Sequence, residues 1–360
     1  MLRAPFYDPA RTYYENWEEG PFGGFADGVV LPQEGRARFD FLGQKISYPI
    51  GIPAGPLLNS RFVKAAFDKG FDVAVYKTVR TREYRAHPWP NVLGVDIEGD
   101  LTIERAKEPV VVKNEYEAPL SITNSFGVPS YPPEVWVDDL KKALSYAKEG
   151  QLVIGSFEGT SWEGYTPEQY IDDWATVAEM VVARGAKVIE GDFSCPNEGG
   201  TGLLCFDVPK MKLIAARIRE RIGRVPLLVK LAHFEDSLLR ELVRELGDLV
   251  DGYCAINTIS AVVVNPDGTQ ALPGEKRKRS GICGAAIKWG GLDMVRRLKK
   301  IREENGMNYA IVGVGGVMNP QDFKEYRDAG ADVVMSATGA MWNPYLAKET
   351  KEAYPDARER

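Results

Sequence analysis

The chain has 360 residues, of which 44% are hydrophobic and 27% charged, an ordinary composition for a globular protein with a large buried core. Its formal net charge of −6 argues against a nucleic-acid partner, because neutralising phosphates needs a basic surplus on at least one face. No apolar stretch approaches the roughly 18 residues of a membrane-spanning helix, so we expect a soluble, cytoplasmic protein without a membrane partner.

The cysteines predict reduced thiols and no metal site. They are widely scattered, the chain contains only two histidines, and we see no secretory signal at its start. The four positions are Cys195, Cys205, Cys254 and Cys283.

Residues 1–38 form the first predicted unit. This segment is rich in aromatic residues, glycine and acidic residues, and it lacks the basic amphipathic face of a membrane-surface helix. We expect it to pack as an extension on a catalytic domain of residues 39–360. Its function is left open by the sequence.

Eight short apolar runs rich in β-branched residues follow, with longer amphipathic stretches between them, a pattern typical of parallel strands joined by helices. The predicted strands are 48–54, 72–77, 151–156, 187–193, 226–231, 252–257, 309–314 and 332–336. The clearest predicted helices are 170–184, 209–221 and 238–246.

Polar or reactive residues at the ends of many strands favour a closed (β/α)8 TIM barrel over an open doubly wound sheet. In a barrel the carboxyl ends of the strands meet in one ring, whereas in an open sheet they spread along an edge. Two insertions, 79–134 and 260–284, are expected to cover the C-terminal mouth of this α/β barrel.

Glycine-rich turns close the last two strands, in the strings IVGVGGV (311–317) and VVMSATG (333–339). Exposed backbone N–H groups beside a helix N-terminus can hold a phosphate, and barrels commonly place one there. The G-x-G-x-x-G spacing after a first strand is missing, which disfavours a Rossmann dinucleotide site.

Lys230 stands among aliphatic residues in the fifth predicted strand, LLVKL (227–231). Burying a cation is costly without an anionic or strongly accepting partner. Three interpretations remain open: contact with the N1/O2 edge of a reduced flavin, a Schiff-base lyase in which the lysine attacks a carbonyl, or a structural pair with a barrel carboxylate.

Several strings, in order from about Phe39 to about Ala347, resemble the dihydroorotate dehydrogenase family, and specifically its soluble class 1 with a cysteine base. FSCPN (193–197) reproduces the S-C-P-N catalytic signature, and TNSFGV (123–128) resembles the N-S-M-G-L substrate loop. IGIPAG (50–55) and VYKT (75–78) resemble flavin-contacting strands of the family.

The resemblance implies an FMN-dependent flavoprotein of pyrimidine biosynthesis that oxidises (S)-dihydroorotate to orotate. Cys195 would remove a proton while a hydride passes to flavin N5. The implied FMN contacts are Ala54, Gly55, Lys77, Thr78, Ser156, Lys230, Asn257, Gly281, Gly284, Gly315, Gly316, Ala337 and Thr338. The implied substrate contacts are Lys77, Asn124, Phe126, Gly127, Val128, Asp192, Asn197, Asn257 and Thr258.

Asp192 departs from the family, which usually has asparagine at this position. An ionised carboxylate accepts hydrogen bonds but cannot donate one, so a substrate carbonyl would lose its partner. Either the substrate is another dihydropyrimidine or an enone, or Asp192 is protonated or turned towards a cation. The sequence does not indicate the electron acceptor or the oligomeric state, although related barrels commonly form homodimers.

A basic run, residues 276–279, lies in the second insertion. Such a run is more often a solvated surface than a binding site, and the alternative is that it attracts an anionic substrate.

Overall fold

In the computed structural model, which describes residues 2–33, 37–194 and 204–358, eight parallel strands close into a barrel. In chain order the strands are β1 (Phe39–Phe41), β2 (Gln44–Ile46), β3 (Ile50–Ile52), β4 (Val73–Val79), β5 (Val92–Val95), β6 (Val110–Lys113), β7 (Ser121–Asn124), β8 (Leu152–Phe157), β9 (Ile189–Asp192), β10 (Leu227–Leu231), β11 (Gly252–Ala255), β12 (Ile259–Val264), β13 (Arg279–Gly284), β14 (Ala310–Val314) and β15 (Val333–Met335). The α-helices are α1 (Tyr13–Glu19), α2 (Ser60–Asp68), α3 (Pro133–Ser145), α4 (Pro167–Val182), α5 (Val208–Ile222), α6 (Asp236–Leu246), α7 (Lys288–Glu304), α8 (Pro320–Ala329), α9 (Thr338–Trp342) and α10 (Leu346–Ala353).

The barrel confirms the predicted fold class. Its strands run in the order β3, β4, β8, β9, β10, β11, β14 and β15, and each overlaps one of the predicted runs. β15 pairs with β3 through Val334 and Ile50, which closes the sheet and excludes the open doubly wound alternative.

Aliphatic side chains fill the barrel interior. One buried cluster contains Val73, Leu152, Leu228 and Val312, from four different strands, and Val188, which directly precedes β9. The phenylalanines of β1 join the same cluster, so the β1–β2 hairpin covers the N-terminal end of the barrel. The opposite end remains for the functional site, as in other barrels of this class.

The three predicted helices are confirmed as α4, α5 and α6. α4 begins three residues earlier than predicted, because Thr166 caps it. The Thr166 side chain accepts from the N–H of Gln169, whose side chain in turn accepts from the Thr166 N–H, and Pro167 occupies the first helical position.

Both insertions lie at the mouth, as predicted, but they are not simple loops. Among the described residues, β5, β6 and β7 of the first insertion and β12 and β13 after β11 form a second, five-stranded closed sheet. β12 pairs with β13 and with β6, which joins the two insertions into one cap over the barrel.

The N-terminal segment packs against both the barrel helices and the cap. The Phe6 N–H donates to the Met341 carbonyl at 3.0 Å, and the Trp89 indole N–H donates to the Pro9 carbonyl at 3.0 Å. Lys69, which is 1% exposed at the end of α2, forms an ion pair with Asp27. No helix in the described part of the chain is both long enough and apolar enough to cross a membrane.

Candidate active site

A cavity of about 440 Å³ lies where the barrel strands end beneath the cap. Its volume falls within the usual range for small-molecule and cofactor sites. The barrel, both insertions and the N-terminal segment all contribute to its wall.

Most of the predicted site residues come together in this wall. The predicted FMN contacts that line the cavity are Ala54, Gly55, Lys77, Thr78, Lys230, Asn257, Gly281, Ala337 and Thr338. The predicted substrate contacts that line it are Lys77, Asn124, Phe126, Gly127, Val128, Asp192, Asn257 and Thr258.

Four predicted FMN contacts lie behind the wall. Ser156 is fully buried, and its hydroxyl lies 2.9 Å from the Thr78 hydroxyl, so it contacts a lining residue. Gly316 packs on the first residue of α7, where an added Cβ would lie 2.8 Å from the Lys288 nitrogen. The Gly315 carbonyl accepts from the Tyr326 hydroxyl, and Gly284 packs against the Leu120 carbonyl.

Cys195 and Asn197 lie outside the described residues. The structure describes the chain as far as Ser194, the residue directly before Cys195. Ser194 is buried, and its hydroxyl donates to Asp192 Oδ1 at 3.0 Å. Asn257 Nδ2 donates to the same hydroxyl at 3.0 Å. The residue directly before Cys195 is therefore bound to two residues of the cavity wall.

Lys230 enters the cavity from β10. Its side chain is 3% exposed, and its ammonium donates to the Ala54 carbonyl at 3.3 Å. Glu190 is fully buried on the neighbouring strand, and burial raises the pKa of its carboxyl while the nearby Lys230 charge opposes that rise. Lys230 thus combines contact with the cavity and proximity to a barrel carboxylate.

Positive charge dominates the wall. Among the lining residues that the structure describes, Lys77, Lys230, Lys278 and Arg279 are cationic and Asp192 is the one acidic side chain. Cations in a partly desolvated cavity attract anionic ligands. The charge therefore fits a ligand that carries phosphate or carboxylate groups.

The substrate loop, residues 124–128, has an unusual backbone. Gly127 and Val128 both have positive φ, 80° and 47°. A Cβ on Gly127 would lie 2.6 Å from His87 Nε2, so a side chain there would displace the His87 ring. The left-handed conformation is strained for the β-branched Val128, and it persists only where surrounding contacts enforce it.

Arg80 supplies one such contact. Its Nε donates to the Val128 carbonyl at 3.1 Å, and its Nη2 lies 3.0 Å from Glu158. Arg80 and Glu158 are each 1% exposed, and their pairing offsets the cost of burying both charges. The buried pair thus ties the substrate loop to the end of β8.

The wall suits a flat ring system joined to a phosphate. Gly55 has a φ of 123°, and an added Cβ there would meet no atom within 4 Å, so the backbone borders open space. Ala337 and Thr338 line the cavity at the start of α9, and the cations described above complete the wall. These features are compatible with FMN, which joins a flat ring system to a phosphate.

The sequence did not point to several lining residues. Tyr7 comes from the N-terminal segment and Met341 from α9, while Ser260, Ser280 and Cys283 come from the cap. Asn124 Nδ2 donates to Cys283 Sγ at 3.3 Å, and burial raises the pKa of that thiol. The aromatic composition of the N-terminal segment signalled packing but could not indicate which side chain reaches the cavity.

Known proteins resemble the chain over most of its length. A family model described as dihydroorotate dehydrogenase matches residues 106–355. A dihydroorotate dehydrogenase of Dictyostelium discoideum is 33% identical over 96% of each chain. The quinone-type enzyme of Chromobacterium violaceum is 26% identical over 87% of this chain and 83% of its own length. The catalytic subunit of the NAD(+)-type B enzyme of Staphylococcus carnosus is 29% identical over 51% of this chain and 58% of its own length.

Proposed function

The chain belongs to the dihydroorotate dehydrogenase family of FMN-dependent oxidoreductases acting on CH–CH bonds, and from this premise we propose that it oxidises (S)-dihydroorotate to orotate with bound FMN. One observation carries the proposal: a single cationic cavity gathers predicted FMN contacts and predicted substrate contacts at the mouth of the barrel. FMN supplies the hydride acceptor that such an oxidation needs.

The protein's own groups would bind and orient the substrate. The Asn124 and Asn257 amides can donate to ring carbonyls and accept from ring N–H groups. The cation of Lys77, with the backbone N–H groups of the substrate loop, can hold the substrate carboxylate.

Cys195 is the proposed base. Its thiolate would remove a proton from the ring carbon next to the one that gives up the hydride, and the resulting thiol would hold that proton. Ser194, bound to Asp192 and Asn257, would fix the strand exit from which Cys195 follows.

The experiment that tests this function is anaerobic mixing of the purified protein with a panel of dihydropyrimidines, followed by the flavin absorbance. We expect dihydroorotate to bleach the yellow colour and orotate to form in equal amount. Bleaching by dihydrouracil or by an enone, with none by dihydroorotate, would identify a related oxidoreductase with another substrate. Colourless protein that forms a borohydride-trapped ketone adduct would support the Schiff-base lyase and contradict the proposal.

The carboxylate of Asp192 is expected to affect which substrate the protein prefers. In Asp192→Asn we expect kcat/KM for dihydroorotate to rise about 10-fold, because an amide can donate to a ring carbonyl that the carboxylate repels. The measurement is the steady-state rate with dihydroorotate and with dihydrouracil.

A matched control is Asp173→Asn, since this buried carboxylate accepts from Thr81, Thr160 and Trp162 and does not line the cavity as the structure describes it. We expect its kcat/KM to stay at the wild-type value. A fall in kcat/KM for dihydroorotate in Asp192→Asn alone would show instead that the substrate requires the carboxylate.

A further inference from the structure

The basic run in the second insertion contains a buried cation that the proposed chemistry does not use. Arg277 is 3% exposed, although its neighbours in the run suggested a solvated surface. It lies in a short 3-10 helix, Glu275–Arg277, just before β13. Burying a guanidinium is costly, so its surroundings indicate what it does.

The Arg277 guanidinium donates its hydrogen bonds to uncharged oxygens. Nε donates to the Ser125 hydroxyl at 3.0 Å, and Nη2 donates to the carbonyls of Ser125 at 3.1 Å and Pro90 at 2.8 Å. Nη1 donates to the carbonyls of Pro88 at 2.8 Å and Pro273 at 3.2 Å. Arg277 therefore joins the second insertion, the turn at residues 88–90 and the substrate loop.

The charge of Arg277 has no carboxylate partner within residues 2–33, 37–194 and 204–358. Among the residues that the structure describes, none forms an ion pair with Arg277, in contrast to the pairing of Arg80 with Glu158. Burial lowers the pKa of Arg277 to about 10, so the guanidinium remains charged at neutral pH. The neighbouring His87 cannot serve as a counter-ion, because an imidazole is either neutral or cationic, and burial and the charge of Arg277 both lower its pKa.

The uncompensated charge lies directly behind the cavity wall. Ser125, which Arg277 contacts through two donors, itself lines the cavity, and it begins the turn that continues into Gly127 and Val128. Because the dielectric constant inside a protein is low, a fixed charge one residue behind the wall attracts or repels an ion bound in the cavity.

We propose that Arg277 is a positioning and specificity-determining residue: it fixes the substrate loop and its uncompensated charge selects substrates that carry a carboxylate over neutral ones of the same shape. This inference rests on the proposed function, because it assigns the substrate to the cavity beside that loop. The charge of Arg277 would act on the substrate carboxylate from behind the cavity wall. This electrostatic contribution is separate from the contact that Lys77 is proposed to make with the same carboxylate.

The test compares dihydroorotate with its methyl ester, which keeps the ring and removes the charge. In wild-type protein we expect kcat/KM to favour dihydroorotate. In Arg277→Gln the preference, taken as the ratio of the two kcat/KM values, should fall on the order of 10-fold. Arg277→Lys, which keeps a charge but loses the planar fork, should retain the preference better than Arg277→Gln while lowering both rates.

The control is Arg327→Gln. Arg327 is a buried arginine that donates to backbone carbonyls and stacks on Phe39 at the other end of the barrel, so its loss should leave the preference unchanged.

Equal loss of kcat/KM with both substrates in Arg277→Gln would show that Arg277 has only a structural role, and it would overturn the inference. Equal rates with both substrates in wild-type protein would overturn it without any variant. If neither compound reduces the wild-type flavin, the proposed function itself fails.

Discussion

Replacing Cys195 by alanine is expected to leave FMN bound while slowing reduction of the flavin by dihydroorotate about 100-fold or more, the usual order for losing an acid-base group. The reason is that Cys195 is the proposed base and that Asp192, the one acidic side chain among the described residues of the cavity wall, already accepts a hydrogen bond from the Ser194 hydroxyl. The measurement is anaerobic stopped-flow absorbance of the flavin, with FMN content determined on the same sample.

Cys205→Ala is the matched control for this variant. Cys205 is a fully buried thiol a short distance along the chain, and it does not line the cavity as far as the structure describes it. Its removal should change flavin reduction little. Undiminished reduction in Cys195→Ala would reject Cys195 as the base, and an equal loss in both variants would point to a packing defect.

The second large effect is expected from Lys230→Gln, which removes the cation that contacts Ala54 in the cavity wall. Reduction places negative charge on the flavin ring, and a nearby cation stabilises that charge. We expect the midpoint potential of bound FMN to fall on the order of 50 mV, which corresponds to about 2 kcal/mol for a two-electron couple. Flavin reduction should slow accordingly, and FMN should bind more weakly.

Lys69→Gln provides the control, because Lys69 is equally buried but pairs with Asp27 away from the cavity. Its midpoint potential should equal that of wild type, although its folding stability falls. An unchanged potential in Lys230→Gln would remove Lys230 from the flavin site. It would leave this lysine as the structural partner of Glu190 within the barrel.

The barrel could be predicted because its strands are buried on both faces. Such strands read as continuous β-branched runs, and VAVYKTV in β4 is buried at all seven positions. The cap could not be predicted in the same way. β5 and β7 have only four residues each, and β6 pairs with β12 across some 150 positions of the chain, which no local pattern encodes.

The residues of the candidate site also fall into those that the sequence could predict and those that it could not. Lys77, Asn124 and Lys230 each stand in or beside a short string that resembles the family, so the resemblance placed them in one site. Tyr7 reaches the cavity because the backbone of the adjacent Phe6 bonds to Met341, a contact made only in the folded protein. Arg277 is buried because two distant segments, residues 88–90 and Ser125, supply most of its acceptors, whereas its sequence neighbours suggest exposure.

The central claim, that this cavity holds FMN at the barrel mouth, is tested most directly by the absorbance spectrum and flavin content of the purified protein. We predict yellow protein with one FMN per chain, or colourless protein that binds one FMN when it is added, with binding weakened in Lys230→Gln. Protein that is colourless and takes up no added FMN would contradict it.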